Sequence, residues 1–122
     1  MDKKIKILGE DWIIRKSKES EDPKLKSCNG YCDNTIRTIV FEDFIPDEKT
    51  LADLANYSAK VLRHEIIHAV LLESGLNECS SWAGNEEMVD FFARQLPKIN
   101  RAILDAMDES SEDEIEERRR KM

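Results

Sequence analysis

The sequence predicts an α+β domain in which a small N-terminal β-sheet of about three strands precedes two long helices. Three observations carry this reading. Alternating and β-branched apolar residues are confined to the first third of the chain, apolar residues at three- and four-residue spacing dominate from Pro46 onward, and no internal repeat is present. The chain of 122 residues has room for one domain of ordinary size. That domain is placed at residues 1–104, with 105–122 as a charged tail.

Taken in order, Ile5 and Ile7 alternate with Lys4 and Lys6, the period of a half-buried strand. Gly9 and Asp11 supply turn chemistry before Trp12, Ile13 and Ile14, so Lys3 to Arg15 is expected to form a hairpin. Lys16 to Gly30 is polar, contains Pro23 and three serines, and reads as a loop. Thr35 to Phe41 is the clearest strand. Its alternation sets Ile36, Thr38 and Val40 on one face and Arg37, Ile39 and Phe41 on the other. Pro46 and Asp47 open a helical pattern reaching about Ser74, with Leu51, Leu54, Val61, Leu62, Ile66, Ala69 and Leu72 on its apolar face. Asp47 or Thr50 is a candidate cap and Gly75 a candidate stop. After a loop from Leu76 to Asn85, a second helix starts at the cap residue Asn85 and runs through Phe91, Phe92 and Leu96. Pro97 is expected to bend it or to start a further helix ending near Met107.

The charge balance of −7 argues against nucleic acid as a partner, because phosphate binding needs a basic face. No apolar run is long enough to span a membrane, and the opening MDKKIKILGEDW lacks the pattern of a secretory signal. Three cysteines, an odd number, favour reduced thiols and a cytoplasmic setting over a disulfide framework. The segment Asp105 to Met122 holds eight acids followed by four bases, and over half of the net charge lies there. With almost no apolar residue to pack, it is expected to be a frayed helix or a disordered extension.

Both histidines of the chain lie in His64-Glu65-Ile66-Ile67-His68, an HExxH motif inside the strongest helix. Positions i and i+4 share a helix face, so two imidazoles can reach one metal ion at roughly 2.0–2.1 Å. Glu65 projects to the neighbouring side of the turn, where a carboxylate can contact a metal-activated water without ligating the metal. A catalytic zinc needs a third protein ligand, and with no histidine left this falls to a carboxylate or thiolate. Glu86 shares a helical stripe with Val89, Asp90, Ala93 and Leu96, which is apolar apart from Asp90. A carboxylate there is better explained as a ligand than as a solvated charge, so Glu86 is chosen over Glu87. Asp90 is a candidate partner for the outer N–H of a ligating histidine, or else a surface charge paired with Arg94.

These residues resemble a known group. HEIIH followed by Glu86-x-x-x-Asp90 looks like the gluzincin zinc metallopeptidases. The surrounding LRHEIIHAVLLESGL and WAGNEEMVDFFARQLPKI are similar to minimal ImmA/IrrE-like peptidases and to small phage or prophage metallopeptidases, over about residues 29 to 100. The resemblance implies a zincin-like fold with an active-site helix and a glutamate helix. It implies one catalytic Zn2+ held by His64, His68 and Glu86, with Glu65 as general base in peptide-bond hydrolysis through zinc-activated water. It further implies a protein or peptide substrate lying extended beside the sheet edge, here expected at Thr35 to Phe41. If the chain is phage-encoded, its setting is the host cytoplasm. Larger gluzincins add a histidine or tyrosine at the oxyanion; this chain has no third histidine, and Tyr31 and Tyr57 are its tyrosines. The alternative is therefore a weakly active or inactive zincin-like domain serving as a zinc-stabilised regulatory binding module. Self-inhibition by a tail carboxylate is a third possibility.

Other residues have plainer readings. Cys28, Cys32 and Cys79 read as inert thiols, with Cys32 a minor candidate for a thiolate near the zinc. Trp82 is either a cleft wall or a loop anchor. Arg63 is either solvated or paired with a carboxylate outside its helix. Phe91 and Phe92 read as core.

Overall fold

The structure is a computed structural model that describes residues 2–44 and 53–108. Its described elements follow the expected α+β order, a sheet and then helices, but the sheet has four strands rather than three. The strands are β1 (Asp2–Ile7), β2 (Glu10–Ser17), β3 (Gly30–Asp33) and β4 (Thr38–Glu42), arranged β1-β2-β4-β3. β1 and β2 are antiparallel, β2 and β4 parallel, and β4 and β3 antiparallel.

The β1–β2 hairpin turns on Leu8 and Gly9 alone, with φ of 49° and 85°. Two residues with positive φ match the right-handed twist of the flanking strands. Asp11 consequently belongs to β2 rather than to the turn; it faces Lys6 in the register and binds its ammonium at 2.7 Å. The segment read as loop contains a 3-10 turn at Pro23–Lys26, capped by the Asp22 side chain and anchored by the buried Leu25. At its last residue, Gly30, begins β3, a four-residue strand too short and too mixed in polarity to show a period.

β4 starts three residues later than the sequence suggests. Thr35 to Arg37 instead form the tight β3–β4 turn, where the Asp33 side chain accepts from the Thr35 N–H at 3.0 Å and Arg37 takes φ 46°. Ile36, expected on a strand face, is therefore exposed. Thr38, Ile39 and Val40 are buried in succession, so this interior strand is covered on both faces there. Strands covered on both sides lose the apolar–polar alternation.

The first long helix is α1 (Leu54–Glu73), capped by Asp53, whose side chain accepts from the Asn56 N–H at 3.1 Å. The expected opening at Pro46, Asp47, Thr50 and Leu51 lies outside the described residues. Gly75, at φ 83°, follows the α1 C-cap as expected. α1 lies against β3 and β4 and closes a core of Ile7, Trp12, Ile14, Ile39 and Ala69. Its far end is pinned by Glu73, which accepts from the buried Trp12 indole at 2.8 Å and from Arg37 Nε at 2.6 Å. Those donors, Arg37 first, hold the Glu73 carboxyl below the usual glutamate range.

After a helical turn, α2 (Leu76–Cys79), and a 3-10 turn at Ser81–Gly84 comes α3 (Glu86–Met107). The Asn85 side chain caps α3 by accepting from the Met88 N–H at 2.9 Å. α3 passes through Pro97 as one helix, so no new helix starts there. The reason lies in α1. Proline has no N–H for the carbonyl four residues back. That carbonyl, on Ala93, instead accepts from Arg63 Nε at 2.6 Å. Arg63 is half-buried, and among the described residues its partner is this carbonyl rather than a carboxylate. Arg63→Leu is expected to cost about 1.5–3 kcal/mol, the range for a charge-assisted hydrogen bond. Pro97→Ala in the same chain should recover much of that loss by restoring the helical N–H. Denaturant unfolding of the two single variants and the double variant would check it, and simple additivity would refute the pairing.

Phe91 and Leu96 were expected in the core but are 53% and 43% exposed, and Phe92 is half-buried. Only Val89 and Ala93 of the apolar stripe are fully covered. Of the charged tail expected from Asp105, residues 105–107 belong to α3, and the segment from Glu109 onward lies outside the described residues. No helix among the described residues is long and apolar enough to cross a membrane.

Candidate metal centre

The two histidines project from one face of α1, as the i, i+4 spacing demands. α3 runs back along that helix, and its first residue, Glu86, arrives opposite them. His64 Nε2 lies 3.0 Å from Glu86 Oε2, and His68 Nε2 lies 3.1 Å from Glu86 Oε1. The two imidazole Nε2 atoms are 3.2 Å apart. Four ligands in a tetrahedron around zinc at 2.0–2.1 Å sit roughly 3.3 Å from one another. The three observed separations lie close to that value. Among the described residues His64, His68 and Glu86 form the group of donors able to share one ion, with ligand atoms within 4.8 Å of each other. Two imidazoles and one carboxylate are a donor set that suits zinc.

The Glu86 side chain is 69% exposed, which differs from the expectation that its stripe is buried along its length. Being the first residue of α3, it sits at the rim of the interface, where burial begins only at Val89. Glu87 is exposed and has no place in the donor group. Asp90 Oδ1 stands 3.8 Å from His64 Nδ1, beyond hydrogen-bond length, while Asp90 binds Arg94 Nε at 2.9 Å and lies 3.5 Å from Lys60 Nζ. Of the two readings of Asp90, the structure makes the pair with Arg94, and no hydrogen bond to His64 is formed. Burial raises its carboxyl, but Arg94 and Lys60 outweigh that and hold it below the usual aspartate range.

Glu65 is a buried carboxylate in a cleft of about 640 Å³ that is also lined by His64, His68 and Glu86. Loss of water raises its carboxyl to about 7, with a further push from the negative charge of Glu86. The wall opposite α1 is β3, and it comes close because Gly30 carries no side chain. A Cβ on Gly30 would stand 3.1 Å from Val40 O and from Val61 Cγ1, and 3.2 Å from Glu65 Cγ. Gly30→Ala is expected to destabilise the fold by about 1–3 kcal/mol through overpacking and to displace Glu65. Thermal unfolding would measure the loss, and an unchanged midpoint would show that the contact relaxes freely.

Cys32 also lines this wall, donating its S–H to the Glu65 carbonyl oxygen at 3.4 Å. Burial, reinforced by the charges of Glu65 and Asp33, pushes its thiol up to about 12. A neutral thiol committed to a carbonyl is not the thiolate that was considered near the zinc. Cys28 and Cys79 are free and exposed. Trp82 is 52% exposed and lines neither the cleft nor the core.

The expected substrate edge is corrected as well. β4 is interior, paired with β2 on one side and β3 on the other, so the edge strand beside the cleft is β3. Sequence reasoning also missed Tyr57 and Lys60 as cleft residues. Their spacing of seven and four residues before His64 places them on its helix face, a signal that was present in the sequence.

No protein-family model matches the chain, and neither a curated protein nor a solved structure does.

Proposed function

We propose that this chain is a metal-dependent hydrolase of the zincin-like class. More narrowly, we read it as a zinc metalloendopeptidase of the minimal gluzincin type, acting on a protein or peptide in the cytoplasm. One observation carries the reading: the two histidines of an HExxH helix and a glutamate from a second helix converge at ligand spacing, beside a buried glutamate and an edge strand. His64, His68 and Glu86 would hold the ion. Zinc bound there supplies Lewis acidity toward water and a peptide carbonyl. The outer edge of β3 aligns an extended chain by main-chain hydrogen bonds. Glu65 takes the proton of the attacking water and passes it to the leaving amine. The walls of β3 and α1 around Glu65 limit the water that competes for that proton.

A second reading, a weakly active or inactive regulatory binding module, is favoured by one specific feature. Both cleft tyrosines are already engaged: the Tyr31 hydroxyl donates to Asp22, and the Tyr57 hydroxyl accepts from Asn29. Neither is free to stabilise an oxyanion without rearrangement. The deciding experiment measures metal content after native purification together with cleavage of a peptide library. Near-stoichiometric zinc with cleavage supports the peptidase. Zinc without cleavage supports the binding module. Absence of zinc refutes both.

A further inference from the structure

α3 is 22 residues long, about 33 Å at 1.5 Å per residue, and every residue from Asn100 to Asp108 is exposed. That exposed part is not polar throughout. Val89, Ala93, Leu96, Asn100, Ile103 and Met107 recur at alternating spacings of four and three, which traces one stripe along the helix. The first two are fully buried against α1, whereas Ile103, Leu104 and Met107 are 49%, 56% and 73% exposed. Beside the stripe runs an apolar groove of about 460 Å³, floored by Ile66 and Ile67 of α1 and by Leu96, Pro97 and Ile103 of α3. A helical end that packs on nothing is marginal in water, and its stability has to come from a neighbour that covers the apolar face.

The face carries both an apolar ridge and an apolar groove, which is the requirement for a two-fold contact between identical surfaces. Its charges are also self-complementary. From Phe91 to Leu104 the charged residues are Arg94, Lys98 and Arg101, all basic, and the next are Asp105 and Asp108. An antiparallel pair with its axis near Arg101 and Ala102 brings Asp105 of one copy beside Lys98 of the other. A parallel pair would stack like charges. The chain's own residues 109–122 are a poor occupant, because Ile115 is their only apolar residue before Met122.

We propose that the C-terminal half of α3 and the α1–α3 groove form a two-fold interface, with α3 of one copy lying antiparallel in the groove of a second copy of this chain. The interface is independent of the metal reading.

Sedimentation velocity of the full chain from low to high micromolar concentration tests it. A concentration-dependent dimer is expected. Ile103→Glu, at an exposed position, should raise the dissociation constant more than about tenfold with helix content unchanged. Met107→Glu provides a second probe should the first variant fold poorly. Lys98→Glu and Asp105→Lys should each weaken the dimer, and the double variant should recover most of the loss, which an accidental apolar contact would not do. A monomer at every concentration would overturn the proposal, as would a dimer indifferent to Ile103→Glu. A dimer that appears only after removal of residues 109–122 would also overturn it, assigning the groove to the tail.

Discussion

Glu65→Gln is expected to leave zinc bound at full occupancy and to lower peptide hydrolysis by roughly 10²–10⁴-fold, the contribution of a positioned general base. The side chain is buried in the cleft and is not one of the three converging donors. Glutamine keeps its length and shape, so the cleft wall and the Cys32 contact to the residue 65 carbonyl should stand. What is lost is the ability to take a proton from water. The variant is measured by zinc content, thermal midpoint and turnover of a peptide that the native chain cleaves. Retained turnover with zinc in place would remove Glu65 from the mechanism. Lost zinc would mean that the carboxylate supports the metal rather than the proton transfer.

The second large effect concerns the metal itself. Because the donors come from two helices that meet only in the folded chain, an ion bound there stabilises the native state alone. At free zinc a thousandfold above its dissociation constant this amounts to about 4 kcal/mol. For a domain of this size that corresponds to an upward shift of the melting temperature of roughly 15 °C. Chelation should remove the shift together with any hydrolysis, and added zinc should restore both. His68→Ala should melt at the chelated value whether or not zinc is present. Glu86→Gln should do nearly the same, and since its side chain is largely exposed, the metal-free fold should hardly change. Glu87→Gln should behave as native. Melting that ignores zinc would remove the metal from the account, and a zinc response lost in Glu87→Gln would reassign the third ligand.

The continuity of α3 through Pro97 shows where local reasoning stops. Proline disfavours a helix interior because it removes a hydrogen bond, and the sequence supports a bend on that ground. The missing donor comes from Arg63, thirty positions away in the chain. β3 was missed for a related reason. Four residues of mixed polarity carry no period, and they become a strand only because β4 offers its free edge. The same pairing makes β4 interior and moves the candidate substrate edge to β3.

The sequence alone determined the order of sheet and helices, the β1–β2 hairpin, the Asn85 cap, the Gly75 stop and the shared face of His64 and His68. Each follows from interactions within a few residues: strand period, backbone φ, a capping side chain, or the 3.6-residue turn. It also singled out Glu86, since a carboxylate on an apolar stripe calls for a partner. Only the tertiary structure decided that Glu86 stands within 3.1 Å of both imidazoles and that Asp90 is held by Arg94 and Lys60 rather than by His64. It also decided that Cys32 is spent on a carbonyl and that half of α3 is left uncovered. The reason is that these depend on how α1, α3 and β3 are set against one another. That arrangement is fixed by packing between segments far apart in the chain, such as the close approach permitted by Gly30 and the anchoring of Glu73 to Trp12 and Arg37.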